Sequence, residues 1–305
     1  MEGHPQLALR SPGDFPALTG AYRSPVAKRL ETQISDSLWQ ALQERAATSG
    51  QSVSHIVQAA LAEALDVQHH SIFQVSTSGA IVEGLYQGCV SVGDLRRHGD
   101  LGLGTFEDLD GEMILIDGHC YQARSDGSVT EAGDDELTPF ASVVSFVADH
   151  THVLADVTSW SDLQAQIDGL RTSPNAMIAL RATGHFDSIK VRTACKHESG
   201  TDLVSAVADQ AIFDFTDIDG SLVGFWSPAY TQAIAIAGYH LHFISADRQH
   251  GGHVLELTAR DLPVEIHVIS DLHLAIPETQ EFLAADLGAD TTVALDKAER
   301  NPGGS

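Results

Sequence analysis

The chain has 305 residues, with 42 acidic against 17 basic side chains and a formal net charge of −25. It holds no dense run of Lys and Arg, which excludes a generic polyanion binder and a polybasic membrane anchor. An apolar share of 43% against 19% charged residues excludes intrinsic disorder, and the length suits one large domain or two to three smaller ones.

In chain order, residues 1–27 read as an irregular tail, because Pro5, Pro12, Pro16 and Pro25 interrupt any helix. The first twenty residues lack the apolar core of a signal peptide, and nowhere do eighteen apolar residues run together, so no membrane span is expected. Residues 28–70 change texture. Leu30, Thr32 and Ile34 alternate as in a short strand. Asp36 is placed to cap a helix with Leu38, Trp39, Leu42 and Ala46 on one stripe. Gly50 ends it, and Ser52 is placed to cap a second helix lined by Val53, Ile56, Val57, Ala60, Leu61 and Leu65. Strand, helix, glycine turn and helix together resemble a ribbon-helix-helix module, a family that dimerises by pairing strands and in many cases enters a DNA groove. Glu31 on the outward strand face, and five basic against seven acidic residues over 1–70, argue against nucleic acid as a partner here.

Gln68, His69 and His70 read as a linker. Beyond them β-rich runs dominate: Ser71–Val75, Met113–Ile116, Phe140–Phe146, Met177–Arg181, Leu222–Phe225, Ala233–Ile236 and His253–Leu257. Helical spacing occurs at Gly79–Tyr86, Trp160–Leu170 and Asp202–Gln210. The expected fold class is mixed α/β, mostly β. A small helical module precedes two β-rich subdomains, over 71–175 and 176–305. Cys89, Cys120 and Cys195 match no zinc-cysteine or CxxC spacing and are odd in number, as in a reduced, cytoplasmic chain.

The strongest chemistry lies in Gly238-Tyr239-His240-Leu241-His242-Phe243. Residues two apart on a strand share a face, so His240 and His242 point together. A turn at Asp247–Gly252 then brings His253 back beside them. Three imidazoles with open positions make a catalytic rather than a closed structural metal site; zinc is the first expectation, with iron, nickel and manganese open by ligand type. Among the sixteen histidines, His250 is expected at the solvent-facing turn tip, and His267 and His273 on surfaces. His69, His70, His150 and His152 show no obvious partners in the sequence.

The surrounding motifs run in order over about 235 residues: Phe73-Gln74-Val75-Ser76-Thr77, Gly102-Leu103-Gly104-Thr105-Phe106, Asp110-Gly111-Glu112, Gly224-Phe225-Trp226-Ser227-Pro228, the histidine tract and Gly251-Gly252-His253. From residue 71 onward the chain resembles the α-acetolactate decarboxylase family. That resemblance implies zinc on His240, His242 and His253, with Glu112 completing the site and Thr105 lining it. Ile189-Lys190-Val191-Arg192 matches the tract of the family's catalytic arginine, so Arg192 takes that role. Glu299 is the match for a C-terminal carboxylate that reaches back to the site, with Asp296 nearby. It implies a C-terminal barrel-like subdomain around the metal, and a homodimer. The segment Thr193–Gly200, with Cys195 and His197, departs from the family pattern.

The implied reaction is zinc-dependent decarboxylation of 2-acetolactate to acetoin and CO2 through a metal-stabilised enediolate. Losing CO2 leaves an electron pair at C2 beside the C3 carbonyl, so a Lewis acid on the oxygens lowers the barrier without an organic cofactor. Two other readings remain open at this point. One is a DNA-binding regulator whose decarboxylase-like domain senses acetolactate or a related acid. The other is a zinc hydrolase built on the same three histidines.

Overall fold

The structure is a computed structural model that describes residues 30–49, 51–65, 70–171 and 173–299. The expected tail over 1–27 and the first residues of the expected strand lie outside the described residues. Helices α1 (Asp36–Ser49) and α2 (Val53–Leu65) form the hairpin that the apolar spacing implies. Ser52 caps α2 by accepting the His55 amide at 3.0 Å. The cap of α1 is Ser35, which accepts the Leu38 amide at 3.3 Å, rather than Asp36. Asp36 instead sits in the first turn, where the helix dipole favours a carboxylate. Leu30–Ser35 form no strand. A lone extended segment has no ladder to join within one chain, so its alternation alone does not produce a strand.

The larger, β-rich part of the fold begins at β1 (Ser71–Val75) and continues through α3 (Ser78–Val82), β2 (Val90–Ser91), α4 (Val92–His98), β3 (Leu101–Thr105), β4 (Glu112–Ile116), β5 (His119–Ala123), β6 (Val129–Glu131), β7 (Leu137–Thr138) and β8 (Ala141–Val144). Next come β9 (His150–Leu154), α5 (Trp160–Asp168), β10 (Met177–Thr193), α6 (Leu203–Ala206), β11 (Ala211–Ser227), β12 (Gly238–Ser245), β13 (Gly251–Ala259), β14 (Leu262–Ile269), β15 (Asp271–Ala275), α7 (Gln280–Ala284) and α8 (Thr292–Glu299). A seven-stranded sheet has the order β15-β1-β8-β3-β4-β5-β6, and a six-stranded sheet the order β11-β12-β13-β10-β14-β9. Thus β9 joins the sheet built mainly from later strands, and β15 returns to pair in parallel with β1.

The expected C-terminal barrel is not formed. Strands β10 and β11 are each 17 residues long and pair along their length, with β10 changing its other neighbour on the way. Its Met177–Ala182 segment lies beside β14, and its Phe186–Arg192 segment lies beside β13, with a register shift between Phe186 and Ser188. The shift bends the strand, and the sheet runs on past β10 through β14 to an open edge at β9. The expected strand at Ala233–Ile236 is also absent. Those residues form turns, and the Ile234 carbonyl accepts the Ser78 amide at 2.9 Å and the Gln74 side-chain amide at 2.7 Å.

The two sheets share one apolar layer. Leu101, Leu103 and Ile114 of the first pack with Val223, Phe225 and Ile244 of the second. Strands buried on both faces read as unbroken apolar runs, as in β4, where all five residues are buried. Each fully buried Leu, Ile or Phe in this layer contributes roughly 1.5–3 kcal/mol. A further cluster places Ile81 of α3, Leu203 of α6 and Leu295 of α8 against Leu109 and Phe140. These short helices cover the end of the strands where the histidines emerge.

Candidate active site

His240 and His242 project from one face of β12, and His242 lies opposite His253 across the β12–β13 pair. Gly252 permits this approach. Its φ is +150°, and a Cβ there would lie 2.6 Å from the Arg192 carbonyl. All three rings are buried, with centroids 5.0, 5.0 and 5.4 Å apart. One ligand nitrogen from each lies within 4.8 Å of the others. The Nδ1 of His242 donates to the Met113 carbonyl at 2.8 Å, which places the lone pair on Nε2. That Nε2 is buried without a hydrogen-bond partner. Burial holds the pKa of His240 and His253 well below the ordinary imidazole value and lowers His242 to about 3. The rings are therefore neutral, as metal ligation requires.

The Asp110-Gly111-Glu112 turn delivers the next group. Gly111 has φ +87°, and a Cβ there would lie 2.3 Å from the Ala123 carbonyl, so the turn requires glycine. Glu112 opens β4 opposite Thr105 of β3. Its Oε1 accepts the Ala194 amide at 3.2 Å, and its Oε2 lies 3.5 Å from His242 Nε2. Burial raises its pKa to about 7, opposed by the charge of Arg192 and reinforced by Glu299. The Thr105 hydroxyl donates to the Gly111 carbonyl at 2.8 Å, so it braces the turn that carries Glu112.

Arg192 lies on β10 opposite His253 and is 5% exposed. Its Nη2 is 3.6 Å from Glu299 Oε2, and its Nε is buried without a partner. Glu299, at the end of α8, reaches the same point. Its Oε2 is 3.4 Å from His253 Nε2 and 3.9 Å from His240 Nε2. Burial raises its pKa, and Arg192 opposes that shift. The side chain of Asp296 lies outside the described residues. Thr105, Glu112, Arg192, His240, His253 and Glu299 thus line one cleft, about 520 Å³ when the space open to solvent is counted, and the fully buried His242 stands behind it against His240 and His253. The apolar wall was not foreseen: Ile81, Leu203, Val207, Ile236 and Leu295 come from helices and turns far apart in sequence. The helical spacing at Gly79–Tyr86 and Asp202–Gln210 gave a local signal for Ile81, Leu203 and Val207, and nothing comparable marked Leu295. Cys195 and His197 do not line the cleft. Cys195 turns its thiol to the Asp209 carbonyl, and the His197 amide donates to the Asp108 carbonyl.

Two histidine expectations are corrected. His267, expected on a surface, is 1% exposed, and His70, expected in a linker, is 3% exposed. His267 sits in β14, which alternates exposed and buried residues at its start but buries both Ile266 and His267, and a lone imidazole in an apolar run gives no sign of that local two-sided burial.

The comparisons with known proteins show the family. The family model for alpha-acetolactate decarboxylase matches residues 72–289. An alpha-acetolactate decarboxylase of Methylococcus capsulatus is 40% identical over 233 residues, covering 76% of this chain and 90% of the relative. One of Bacillus licheniformis is 37% identical over 240 residues, covering 78% and 95%. The crystal structure of alpha-acetolactate decarboxylase from Bacillus subtilis strain 168 superposes with a TM-score of 0.73 at 36% identity, covering 76% of this chain and all of that one. On the strength of this match the chain belongs to the alpha-acetolactate decarboxylase family.

Proposed function

We propose that the protein converts 2-acetolactate to acetoin and CO2, with a zinc ion held by His240, His242 and His253. The observation that carries this reading is the meeting of three buried neutral imidazoles with Arg192, the buried Glu112 and the partly buried Glu299. The residues fit a cation. The Nε2 of His242 and the Oε2 of Glu299 are buried without hydrogen-bond partners, a costly arrangement that a bound ion relieves. When bound, the ion supplies Lewis-acid polarisation of the substrate's hydroxyl and carbonyl oxygens.

The protein groups account for the remaining steps. The Arg192 guanidinium is buried and permanently charged, so it holds the substrate carboxylate through parallel hydrogen bonds and fixes the C1–C2 bond in the cleft. As that bond breaks, CO2 leaves and its electron pair stays at C2, conjugated with the C3 carbonyl. One proton delivered to C2 then gives acetoin, so the reaction consumes a proton overall. Glu112, with its pKa near 7, exchanges a proton at neutral pH and serves the substrate hydroxyl. Glu299 lies between Arg192 and the imidazoles and sets the charge balance there. Thr105 holds the turn that aims Glu112. The helix-covered apolar wall receives the methyl groups and excludes water.

The test is acetoin formation from acetolactate together with zinc content, on the wild type and on His253→Ala. The variant should lose both zinc and CO2 release. Full zinc occupancy with full activity in the variant would remove His253 from the site.

The polar groups of the site are complete, as in a working enzyme, and the free thiols of Cys89, Cys120 and Cys195 suit the reducing cytoplasm. The N-terminal hairpin supports a ribbon-helix-helix-like role in pairing two chains as a homodimer. No residue of α1 is buried, and Leu38, Trp39, Leu61 and Leu65 are exposed. The acidic balance of residues 1–70 does not favour DNA as the partner of that face. No helix among the described residues is long and apolar enough to cross a membrane.

A further inference from the structure

Three residues of positive φ lead the chain into Glu112: Asp108 at +60°, Leu109 at +54° and Gly111 at +87°. Glycine adopts that region freely, but Leu109 holds it only because surrounding contacts impose it. Thr105 supplies one such contact, at the Gly111 carbonyl. A second comes from Gln122 of β5. This side chain is 1% exposed, an uncommon burial for a long polar group, and both ends of its amide are engaged. Its Nε2 donates to the Asp110 carbonyl at 2.5 Å and to the Asp110 carboxylate at 3.2 Å. Its Oε1 accepts from the Arg124 guanidinium.

The neighbours fix which way the amide points. Turned over, it would set its oxygen against two oxygens of Asp110 and its amino group against a cation. Arg124 is braced in turn: its Nη1 donates to the Thr130 hydroxyl at 2.8 Å, and its Nε lies 3.6 Å from Asp110 Oδ2. Asp110, Gln122 and Arg124 therefore close a loop of contacts from the turn to β5 and back. What they fasten is close to the chemistry. Glu112 follows Asp110 by two residues, and its carboxyl lies between the Ala194 amide and His242 Nε2. The β4–β5 ladder pairs Glu112 with Ala123 and Met113 with Gln122, so it holds the main chain from Glu112 onward, including the Met113 carbonyl that binds His242. Asp110 and Gly111 lie before the first residue of β4. The Gln122 amide is the buried contact that carries the hold past the end of the ladder.

We propose that Gln122, oriented by Arg124, is a positioning residue for the reaction: it anchors the Asp110 end of the turn and so keeps the Glu112 carboxyl aimed into the cleft. This role rests on the decarboxylation proposed above. A displacement of about 1 Å in a group that handles a proton costs up to about a hundred-fold in rate. Substrate capture falls to Arg192 on β10 and to the apolar wall, and metal binding to histidines on β12 and β13. Loss of the Gln122 amide therefore acts on kcat and spares KM and zinc.

The test compares kcat and KM for acetolactate, with zinc counted per chain, in the full-length wild type, Gln122→Met, Arg124→Ala and Arg124→Lys. Methionine fills the space of glutamine but donates no hydrogen bond. Gln122→Met should lower kcat about ten- to a hundred-fold, with KM within about three-fold of the wild type and zinc retained. Arg124→Ala should lower kcat about three- to ten-fold, and Arg124→Lys should regain most of that, since an ammonium still donates to Gln122 Oε1. A role in folding alone would lower thermal stability without splitting kcat from KM. A kcat of Gln122→Met within about two-fold of the wild type would overturn the proposal, as would a loss of zinc that matches the loss of rate. Arg124 is about a third exposed, so its two variants decide the matter if Gln122→Met fails to fold: equal kcat values in the alanine and lysine variants would overturn the role. A wild type that forms no acetoin would overturn the reaction and this role with it, an outcome distinct from an active wild type indifferent to Gln122.

Discussion

Replacing Glu112 by glutamine tests the electrostatics of the cleft directly. The carboxyl is buried, and its pKa is raised from 4.5 to about 7. An acid whose pKa is higher in the folded state binds more protons folded than unfolded between those two values. Its contribution therefore falls as pH rises from about 4.5 to about 7. At about 1.4 kcal/mol per unit, the full loss is about 3 kcal/mol. Glutamine keeps an acceptor for the Ala194 amide, 3.2 Å away, but does not titrate. The assay is denaturant unfolding of metal-free wild type and Glu112→Gln protein at several pH values between 5 and 8. Relative to the variant, the wild type should lose most of that energy across the range. The histidines slope the other way, because lowered pKa values give stability that is present above about 6.5 and lost as pH falls. They are common to both proteins and cancel in the difference. Adding zinc should shrink the difference, since a dication beside the carboxyl favours its ionised form. Stability curves that stay parallel within about 0.5 kcal/mol across the range would refute a raised Glu112 pKa and its role in proton exchange.

Arg192→Lys keeps the charge but loses the planar fork. The loss of one charge-assisted hydrogen bond, about 1.5–3 kcal/mol, predicts a fall in kcat/KM of roughly ten- to a hundred-fold with zinc retained. An unchanged rate of acetoin formation would remove Arg192 from the mechanism. The acetolactate anion approaches a chain of charge −25, so moderate salt should lower its KM by screening the repulsion; a KM that rises steadily with salt would contradict this. Replacing Leu38 and Trp39, both about half exposed, by glutamate should convert a dimer to a monomer by light scattering. An unchanged mass would exclude the hairpin as the pairing face.

What the sequence made legible depended on the range of each interaction. The histidine triad was readable because a strand's two-residue period and a hairpin turn are local facts. The helix hairpin was readable for the same reason, although the cap fell on Ser35, one residue before Asp36. Only the inner segments of β10 and β11 looked like strands. Their outer halves carry Lys190, Asp214, Asp217 and Asp219 on partly solvated faces, which masks a ladder that runs the whole length. Ala233–Ile236 misled because an apolar run of four residues looks alike in a strand and in a buried turn. His70 and His267 were misjudged because their burial depends on α2 and on strands far away in sequence. Glu112 and Glu299 had no local signal at all. Each resembles a surface carboxylate until the β4 turn and the α8 terminus are folded against Arg192.

The placement of those two carboxyls bears on how so acidic a chain accepts an anionic substrate. Were Glu112 and Glu299 both ionised, they would outweigh Arg192, and the cleft would repel the carboxylate it must bind. Burial raises both pKa values, shifting each carboxyl of the metal-free cleft toward its neutral form and so lessening the charge set against the guanidinium. The same burial keeps the imidazoles neutral, so they add no charge of their own and remain available to a cation. Desolvation by the layer of α3, α6 and α8 thus acts on donors and acceptors alike. Removing that apolar layer, with every polar residue kept, would restore ionised carboxylates beside Arg192 and cost the cleft its affinity for an anion. These covering helices, of which the sequence revealed α3 and α6 but not α8, are in this sense as necessary to the chemistry as the histidines it revealed most clearly.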